Sequence, residues 1–404
     1  MANVSSSNGL EKYPKLRFPG FEEPWKPTAF GELVCEFSER TKVEDEDTLL
    51  SAAIEGMFLN TELFGHQRGA SNKGYKKIRR GTMVLSTQNL HLGNANVNLR
   101  FEHGMVSPAY KTYEIKGCSV DLIAQWIKSE AAKRFFYNAT TVGASVCRRN
   151  VEWETLYEQA LYLPNVAEQE KIAGLLTLLS NRISKQQQFV AALKKYKRGA
   201  LQQIFRDGDD SRNGQWTTVR LGDIFKKASR RNSNGECKNV ITNSAEYGLI
   251  PQREFFDKDI AVDGNTSNYY VIQKGDFVYN PRKSNTAPYG PFNRYLLSED
   301  GIISPLYTCL VLQADIDPAY LAWYFKSDAW YRYIYDNGSQ GVRHDRVSMT
   351  DDLLMGIPVS YPTKDQQLRI ARFLDLTEQK LMVAQREYDL LVATRAGFMQ
   401  QLFI

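Results

Sequence analysis

The sequence is poor in the residues that metal and redox centres use. Its 404 residues include four histidines and five cysteines, namely His66, His91, His103, His344, Cys35, Cys118, Cys147, Cys237 and Cys309. No two cysteines form a C-x-x-C pair and the histidines are widely dispersed, so we predict neither a metal site nor a redox centre. The odd number of scattered cysteines indicates free thiols in a reducing cytoplasm.

Long apolar runs are absent as well. No uncharged apolar run reaches about 18 residues, and the N-terminus lacks the apolar core of a signal peptide. We therefore expect a cytoplasmic protein without a membrane span. A hydrophobic fraction of 43% predicts a folded chain, and 404 residues are enough for two domains with connecting helices.

Catalytic motifs are missing too. The sequence has no G-x-G-x-x-G and no G-x-x-x-x-G-K-[ST] loop for a nucleotide. The Asn/Asp-Pro-Pro-aromatic tetrad of amino-methyltransferases is approached only by Asp317-Pro318-Ala319-Tyr320, which has alanine at the second proline position and no upstream cofactor loop. We predict no catalytic residue in this chain.

The sequence does contain an internal repeat. PNVAEQEKIAGLL begins at Pro164 and PTKDQQLRIARFL begins at Pro362, so the offset is 362 − 164 = 198, about half of the chain. Without gaps, residues 164–205 match residues 362–403 identically at about a dozen positions, where chance would give about two. The sequence therefore predicts two related halves.

The repeat continues upstream with small shifts in offset. Segments from Gly104 and Gly301 resemble each other at offset 197, and those from Trp25 and Trp216 at offset 191. Such drift is typical of loop insertions between matched elements. We predict a globular domain over residues 1–161, a long helix over 162–206, a second globular domain over 207–360 and a second long helix over 361–404.

Apolar residues in the two helical segments follow a heptad spacing. Because the pattern lasts for more than four heptads, each segment predicts a coiled-coil helix roughly 60 Å long. The residues predicted to pack the two helices together are Ile172, Leu176, Leu179, Ile183, Leu193, Ile370, Leu374, Leu381 and Leu391. We expect the helices to be antiparallel, since an approximate two-fold axis between the halves would place them head to tail. The alternative is that each helix packs only on its own globular half.

Both globular halves show the pattern of mixed α/β domains. YYVIQKGDFVYNPR from Tyr269 predicts two strands broken by a Lys-Gly turn, and GIISPLYTCLVLQA from Gly301 predicts another strand pair. The segment from Asp317 predicts an aromatic helix, matched in the first half from Cys118, and its helical period assigns the aromatic face to the core. The predicted fold is thus mixed α/β (α+β), with two pseudo-repeated globular domains separated by a pair of long antiparallel coiled-coil helices.

Basic and amide side chains follow equivalent elements in the two halves. They come after the strands GTMVL and GDFVY, after the aromatic helices, and in a basic stretch from Arg68 to Arg80. Arg, Lys, Gln and Asn are the side chains that read base edges, and basic clusters contact phosphates. The predicted DNA-binding residues are Lys76, Lys77, Arg79, Gln88, Asn89, Arg148, Arg149, Arg282, Lys283, Asn285, Arg343, His344 and Arg346. For any one of them, a solvated basic face or an ordinary polar turn remains the alternative.

These features together resemble one family. The duplicated P-x-x-x-x-Q-x-x-I-A helix openings, their endings in Gly-x-x-Gln-Gln-x-Phe, and the F-P-G-F…W…G-E-L pattern over residues 18–33 resemble the specificity subunits of type I restriction-modification enzymes. The resemblance covers almost the whole chain. The recognition loops vary within such a family, so no loop residue is transferred from it.

The resemblance implies a non-catalytic DNA reader. It implies two target-recognition domains that read a bipartite asymmetric sequence in double-stranded DNA, the first domain reading the 5′ component. It also implies two modification subunits that bind S-adenosylmethionine and methylate adenine N6, and two restriction subunits that use ATP and Mg. The cofactors then belong to these partners and none belongs to this chain. The alternative that the residues leave open is a two-domain protein-interaction scaffold without DNA readout.

Overall fold

Short strands and short helices alternate through most of the chain, and two long helices stand out among them. The computed structural model describes residues 2–3, 11–65, 71–142, 149–207, 216–255, 266–340 and 345–404. The chain divides into two compact units: the first contains Met1–Gln188 and Gln385–Ile404, and the second contains Phe189–Ala384.

The first unit contains the following elements. Its strands are β1 (Ala2–Asn3), β2 (Leu16–Arg17), β3 (Lys26–Ala29), β4 (Val34–Phe37), β5 (Leu50–Ala52), β6 (Met57–Leu59), β7 (Lys76–Arg79), β8 (Met83–Ser86), β9 (Ala95–Val97), β10 (His103–Val106), β11 (Tyr110–Ile115), β12 (Thr140–Val142), β13 (Arg149–Val151) and β14 (Ala160–Leu163). Its helices are α1 (Phe30–Leu33), α2 (Asn60–Phe64), α3 (Val120–Trp126), α4 (Glu130–Asn138) and α5 (Trp153–Glu158), with a 3₁₀ turn at Leu90–Leu92. The long helix α6 (Val166–Asp207) begins here.

From β3 onward, the strands and α-helices of the second unit repeat the order of the first. Its strands are β15 (Thr217–Arg220), β16 (Phe225–Lys227), β17 (Ile241–Ser244), β18 (Gly248–Pro251), β19 (Tyr270–Ile272), β20 (Phe277–Tyr279), β21 (Phe292–Arg294), β22 (Gly301–Ile303), β23 (Thr308–Leu312), β24 (Ser339–Gln340), β25 (Val347–Ser348) and β26 (Pro358–Tyr361). Its helices are α7 (Leu221–Ile224), α8 (Gln252–Phe255), α9 (Pro318–Lys326), α10 (Tyr331–Asn337) and α11 (Asp351–Met355), and the long helix α12 (Lys364–Leu402) begins here.

The strand pairings repeat in the two units. A four-stranded antiparallel sheet has the order β4-β11-β8-β9 in the first unit and β16-β23-β20-β21 in the second. The pairs β3–β14, β5–β6, β7–β10 and β12–β13 correspond in the same way to β15–β26, β17–β18, β19–β22 and β24–β25. The predicted mixed α/β fold with two pseudo-repeated globular parts is confirmed.

The predicted Lys-Gly turn forms at Lys274-Gly275, and Arg80-Gly81 forms the equivalent turn in the first unit, but the strands beside these turns do not pair as simple hairpins. Gly81 and Gly275 have φ of +87° and +104°, which only glycine adopts without strain. The backbone N–H two residues before each glycine donates to a side chain one residue after it, Thr82 Oγ1 at 3.1 Å or Asp276 Oδ2 at 2.7 Å. The strands on either side of the second turn, β19 and β20, do not pair with each other. Instead, β19 pairs with β22 and β20 pairs with β23, so the strands predicted from Tyr269 pair with those predicted from Gly301.

The prediction of one aromatic helix is wrong in each half, since the segment forms two helices. Ser129 separates α3 from α4, and its Oγ accepts a hydrogen bond from the N–H of Ala132. Ser327 separates α9 from α10 with a backbone ψ of 175°. Serine competes with the helix for backbone hydrogen bonds and so favours caps over interiors. The assignment of the aromatic face to the core is confirmed, because Tyr320, Trp323, Tyr324 and Phe325 are all buried in the second unit.

Free thiols are also found as predicted. Cys35, Cys118, Cys237 and Cys309 form no disulfide, and Cys147 lies outside the described residues. Burial raises the pKa of Cys118 to about 11 and that of Cys309 to about 12. These two thiols are therefore protonated and inert at neutral pH.

In the first unit, the start of α6 runs antiparallel to the end of α12. Ile172 and Leu176 share a core with Met399 and Leu402, and two turns further along α6 the Arg182 guanidinium meets the Glu387 carboxylate at 2.9 Å. As the residue numbers of α6 rise, those of its partners on α12 fall. The predicted antiparallel pairing therefore holds in this unit.

In the second unit, the end of α6 packs in the same way on the start of α12. Leu201 and Phe205 share a core with Ala371 and Leu374, and Lys197 Nζ donates to Glu378 Oε2 at 2.7 Å. Lys197 corresponds by the 198-residue offset to Arg395, whose Nε in the first unit donates to Ser180 Oγ at 2.9 Å. Glu378 and Ser180 are separated by the same offset, so the two basic residues occupy equivalent contacts.

All nine predicted seam residues are at least partly buried, and packing of the two helices through each of them stays a prediction. Ile172, Leu176, Leu193, Leu374 and Leu381 are buried, and Leu179, Ile183, Ile370 and Leu391 are half-buried. Neither long helix, nor any other helix of the described ranges, is apolar enough to cross a membrane.

The repeated helix opening contains a buried glutamine that makes the same two hydrogen bonds in both units. Gln169 is 3% exposed; its Nε2 donates to the carbonyl of Pro164 at 2.9 Å, and its Oε1 accepts from the N–H of Ser119 at 2.8 Å. In the second unit Gln367 makes the same two bonds, to the carbonyl of Pro362 at 2.8 Å and from the N–H of Asp317 at 2.8 Å. Each carboxamide thus joins the start of a long helix to its globular half.

The first unit adds a buried ion pair at the same helix start. Arg17 and Glu168 are 2% and 0% exposed, and two guanidinium nitrogens meet the two carboxylate oxygens at 2.8 Å. The residue matching Glu168 by offset is Gln366, so this ion pair has no equivalent on α12. A buried pair adds little net stability, but removing one partner leaves an uncompensated charge.

Glu168→Gln is expected to lower the free energy of unfolding of the first unit by about 3–5 kcal/mol, because Arg17 keeps its charge without a counter-ion. The control Glu170→Gln changes an exposed residue of the same helix and should move the transition by less than about 0.5 kcal/mol. Urea denaturation followed by fluorescence measures both. Equal effects of the two substitutions would contradict the buried-pair interpretation.

Lys128 is a partly buried charged residue elsewhere in the first unit. Its Nζ donates to the carbonyls of Ile54 at 2.7 Å and Ala95 at 3.0 Å and to Asn96 Oδ1, so it holds the loop between β5 and β6 against β9. Burial lowers the pKa of Lys128 to about 8. Between pH 8 and 10.5 the unfolded chain therefore binds more protons at this residue than the folded chain does.

This difference predicts a pH dependence. As the pH rises from about 8 to 10.5, Lys128 should increase the free energy of unfolding, because the cost of keeping its ammonium charged in the fold is relieved. The difference between wild type and Lys128→Met, measured by urea denaturation, should grow in favour of wild type over this range. Lys116→Met, at an exposed position, controls for the loss of a lysine charge as such. Parallel pH profiles for wild type and Lys128→Met would contradict the prediction.

Candidate nucleic-acid interface

In the second unit, the structure brings together two loops that the sequence predicted to bind DNA. One follows β20 and the other precedes β25. The N–H of Lys283 donates to the carbonyl of Asp345 at 2.8 Å, and the N–H of Val347 donates to the carbonyl of Pro281 at 2.9 Å. Arg282 and Arg346 are direct neighbours in this short antiparallel bridge. We call residues 281–285 and 345–347 the second loop surface.

Buried asparagines fix the second loop surface from below. Asn280 is 6% exposed, and its Oδ1 accepts from the N–H of Arg282 at 2.9 Å while its Nδ2 donates to the carbonyl of Asn243 at 3.3 Å. Asn243 in turn donates to the carbonyl of Val278 at 2.9 Å. At Gly290, whose φ is +86°, a Cβ would lie 2.0 Å from the carbonyl oxygen of Asn280. The backbone beside Arg282 is therefore held in one conformation.

The charge on the second loop surface is predominantly positive. Arg282 is 69% exposed on its side chain and lies 4.0 Å from Asp345, which is the one acidic residue among the described residues of the surface. Lys283 and Arg346 are half-buried and Asn285 is exposed. Burial raises the pKa of Tyr307 beneath them, and the nearby Arg282 and Arg346 partly oppose this rise. Three cations against one anion suit an anionic partner.

The first unit has an equivalent surface with different chemistry. Ser86, at the end of β8, accepts hydrogen bonds through Oγ from the N–H groups of Gln88 at 3.4 Å and Asn89 at 3.1 Å. Both amide residues are exposed. Ser86 aligns with Asn280 by the 194-residue offset of these strands, so a side chain at the same position supports the loop in each unit.

Arg149, the first residue of β13, packs against the end of α4 and the start of β12. Its Nε donates to Thr140 Oγ1 and its Nη2 to the Thr140 carbonyl, both at 2.7 Å, and its guanidinium lies 4.2 Å from the centre of the Tyr137 ring. Burial lowers the pKa of His91, and the charge of Arg149 lowers it further. We call residues 86–91 together with Arg149 the first loop surface.

The basic stretch on β7 does not form one patch. Alternation along the strand buries Lys76, whose Nζ donates to the carbonyl of Tyr110 at 2.7 Å and whose pKa burial lowers. Lys77 faces the other side and its pKa is raised by Glu46, with which it forms an ion pair. Arg79 pairs with Glu114. This placement favours structural roles for Lys76 and Lys77, and DNA contact by all three stays a prediction.

Three predicted DNA-binding residues fall on parts of the chain that the structure leaves undescribed. Arg148 belongs to residues 143–148, and Arg343 and His344 belong to residues 341–344. Among the described residues, no group of three or more His, Cys, Asp and Glu could hold a metal ion.

The sequence reasoning passed over one pair of arginines in the second unit. Arg230 and Arg231 follow β16 and are both exposed; Arg230 donates to Gln273 at 2.8 Å, and the Arg231 guanidinium lies 5.9 Å from the centre of the Tyr270 ring. The signal was present as Arg-Arg-Asn-Ser-Asn-Gly, which combines the same residue types as the loop after β20.

Comparison with known proteins identifies the fold. No protein-family model matches the sequence, and no curated protein sequence matches it. Among solved structures, the S subunit of a type I restriction-modification system from M. genitalium is similar with a TM-score of 0.55 and 15% identity, over 97% of this chain and 99% of that one. A second similar chain comes from a structure described as "Structural basis underlying complex assembly and conformational transition of the type I R-M system". Its TM-score is 0.52 and its identity is 14%, over 96% of this chain and 99% of that one. This protein therefore has the fold of a type I restriction-modification S subunit.

Proposed function

We propose that this chain is the DNA sequence-recognition subunit of a type I restriction-modification complex and that each unit reads one half of a bipartite target. The observation that carries the proposal is the pair of loop surfaces, which use equivalent positions on equivalent sheets but present different side chains. A shared scaffold with different readers suits two different half-sites. The fold shared with the S subunit from M. genitalium supports the same function.

The side chains of each surface favour different bases. Gln88 and Asn89 on the first surface can each donate to and accept from the N6/N7 edge of adenine, whereas Arg282, Lys283 and Arg346 on the second can donate to the O6/N7 edge of guanine. All of these edges lie in the major groove. The two halves of the target are then different in sequence, so the target is asymmetric.

The long helices set the gap between the two half-sites. At 1.5 Å per residue, the 42 residues of α6 span roughly 63 Å, which is close to two turns of duplex DNA. A continuous helix is stiff over this length, whereas a flexible linker would allow many spacings.

The same helices dock the two modification subunits. In the second unit, Tyr196, Leu376, Met382 and Val383 are between 55% and 67% exposed, which is unusual for large apolar side chains. Tyr196 also lines an open groove of about 600 Å³ with Gly199 and Phe373. In the first unit, Leu178 and Leu390 are 70% and 65% exposed. Exposed apolar residues on a long helix favour packing against helices of another subunit.

Chemistry in the complex then belongs to the partners. Two modification subunits bind S-adenosylmethionine and methylate adenine N6, and two restriction subunits use ATP and Mg, all in the cytoplasm. This chain contributes sequence reading and positioning and is not catalytic alone.

The proposal is tested by exchanging one globular half. N6-methyladenine is mapped across the genome of a cell that carries this chain with its neighbouring modification subunit, and of one that carries a chain whose residues 1–161 come from a different S subunit. We expect a split motif with a fixed gap, of which only one block changes after the exchange. Methylation that does not depend on this chain, in a cell where it assembles with the modification subunit, would contradict the proposal and favour a scaffold without DNA readout.

A single arginine tests the second loop surface. Arg282→Ala in the assembled complex should weaken binding to the cognate duplex by about 1–3 kcal/mol and relax selectivity at one base pair, because a bidentate contact is lost. Fluorescence anisotropy with a set of single-base variants measures both effects. Arg220→Ala removes an exposed arginine of β15, outside both loop surfaces, and should leave selectivity unchanged. A uniform loss on every duplex would instead assign Arg282 to a phosphate.

A further inference from the structure

The two loop surfaces present different side chains, but each unit carries an arginine at the same place in its fold. Arg40 and Arg231 are separated by 191 residues, which is the offset that relates the starts of the two halves. Each forms an isolated antiparallel bridge to the first residue of a strand, Arg40 to Lys76 in β7 and Arg231 to Tyr270 in β19. Both arginines are exposed.

The two guanidinium groups are also held in the same way. Arg40 Nη1 donates to the carbonyl of Gly74, and Arg231 Nη1 donates to Oδ1 of Asn268, both at 3.0 Å. Gly74 and Asn268 are related by the 194-residue offset of these strands. The acceptor has changed from backbone to side chain, while the nitrogen that donates has stayed the same.

Most of the hydrogen-bonding capacity of each guanidinium remains available. A guanidinium carries five N–H groups, and neither arginine forms an ion pair or a second hydrogen bond with the described residues. In the first unit, acidic residues that follow Arg40 have other partners: Glu44 accepts from the N–H of Asn72 at 2.8 Å, and Glu46 pairs with Lys77. An anion from outside the chain can therefore bind at either arginine.

A buried residue fixes the backbone next to each arginine. Thr41 and Asn232 are 4% and 1% exposed, and their N–H groups donate to the carbonyls of Tyr75 and Tyr269, both at 2.9 Å. The arginines thus project from backbone that is hydrogen-bonded to the neighbouring segment. A group held in place in this way loses less conformational freedom when it binds a partner.

Strand pairing places Arg40 near the first loop surface. Lys76, its bridge partner, pairs with Val106 at the end of β10. After a short turn the chain enters β11, whose first residue, Tyr110, pairs with Ser86 at the base of the first loop surface. Lys76 Nζ also donates to the carbonyl of Tyr110 at 2.7 Å. The arginine and the loop surface therefore border the same turn.

The second unit repeats this arrangement. Tyr270, the bridge partner of Arg231, pairs with Ile303 at the end of β22. After the turn that follows, Thr308 begins β23 and pairs with Tyr279, the residue before the asparagine that supports the second loop surface. Here too the arginine and the loop surface lie on the two sides of one turn.

An identical residue at equivalent places suits a chemical group that both half-sites contain. The bases of the two half-sites differ, and the side chains of the two loop surfaces differ with them. The phosphate backbone is the same on both sides, and contacts to it fix the position of a protein on DNA without carrying sequence information. Arginine suits phosphate, because its planar guanidinium can donate two parallel hydrogen bonds to it.

We propose that Arg40 and Arg231 are phosphate-binding residues, each of which contacts the DNA backbone at the half-site that its own unit reads. The inference rests on the function proposed above and adds sequence-independent contacts to it. A modification subunit is the other partner that both units share, and an acidic surface on it is the competing interpretation. The place of both arginines beside the loop surfaces favours DNA.

The test measures binding of the assembled complex to its cognate duplex by fluorescence anisotropy at several concentrations of monovalent salt. Arg40→Gln and Arg231→Gln keep a donor for the internal hydrogen bond but remove the charge. We expect each to reduce the slope of log K against log salt concentration by about 0.9, and the double variant to reduce it by about 1.8. Arg40→Lys and Arg231→Lys keep the charge and should retain the slope.

Two further comparisons separate phosphate binding from base reading and from charge as such. Duplexes with single-base changes in either half-site should lose affinity by the same factor as the cognate duplex in each glutamine variant. Arg220→Gln is the matched control, because it removes an exposed arginine of the second unit that lies outside both loop surfaces. It should leave the slope unchanged.

Four outcomes would overturn the inference. An unchanged slope in the glutamine variants would exclude a phosphate contact, and a loss confined to one base pair would assign the arginine to base reading. Weaker assembly with the modification subunit at an unchanged slope would assign it to a protein contact. Failure of both the glutamine and the lysine variants to fold would make the guanidinium structural. If the wild-type complex binds no duplex selectively, the proposed function itself fails, and this is known before any variant is compared.

Discussion

The structure depends on how the apolar stripe of each long helix is covered. A helix of about 40 residues carries a heptad seam that is longer than a globular half of this size can bury. Each unit solves the problem for half of the length, by packing the start of one long helix against the end of the other. The buried glutamines, the Arg17–Glu168 ion pair of the first unit and the contacts of Lys197 and Arg395 all lie along these packed helices.

The repeat was predictable because the residues that recur in both halves are those that pack the helices and shape the turns. The heptad positions, the helix openings and the Lys-Gly turn all reflect local geometry, and the approximate two-fold relation between the halves predicted antiparallel pairing. The split of each aromatic helix at Ser129 and Ser327 was not predicted, because the apolar period continues across the serine and hides the cap. Here a local side-chain hydrogen bond outweighs the pattern.

The candidate interface was only partly predictable. Residue type identified Gln88 and Arg282 as exposed polar residues of equivalent loops, but Lys76 shows the limit of that reasoning, since strand alternation places it inside the fold. The partner of a charged side chain comes from a distant segment, as Glu46 does for Lys77, and the sequence gives no sign of it. The buried asparagines that support Arg282 are likewise brought together only by the sheet.

The packed helices also show how a repeat diverges without losing its geometry. Gln125 donates to Thr177 at 3.4 Å in the first unit, and the residues at the same offset, Trp323 and Asp375, form a hydrogen bond of 2.8 Å in the second. Donor and acceptor have both changed identity while the contact has stayed. The scaffold therefore constrains pairs of residues rather than single ones.

The first unit is built from two segments that lie far apart in the chain, and this affects the order in which the protein can fold during synthesis. Its core includes Met399, Leu402 and Phe403, whereas the second unit consists of one continuous segment, Phe189–Ala384. Domains generally fold as units while the chain emerges from the ribosome. The second unit can therefore complete its core before the first, although the first is translated earlier. The apolar side chains around Ile172 stay uncovered until residues 399–403 have been translated.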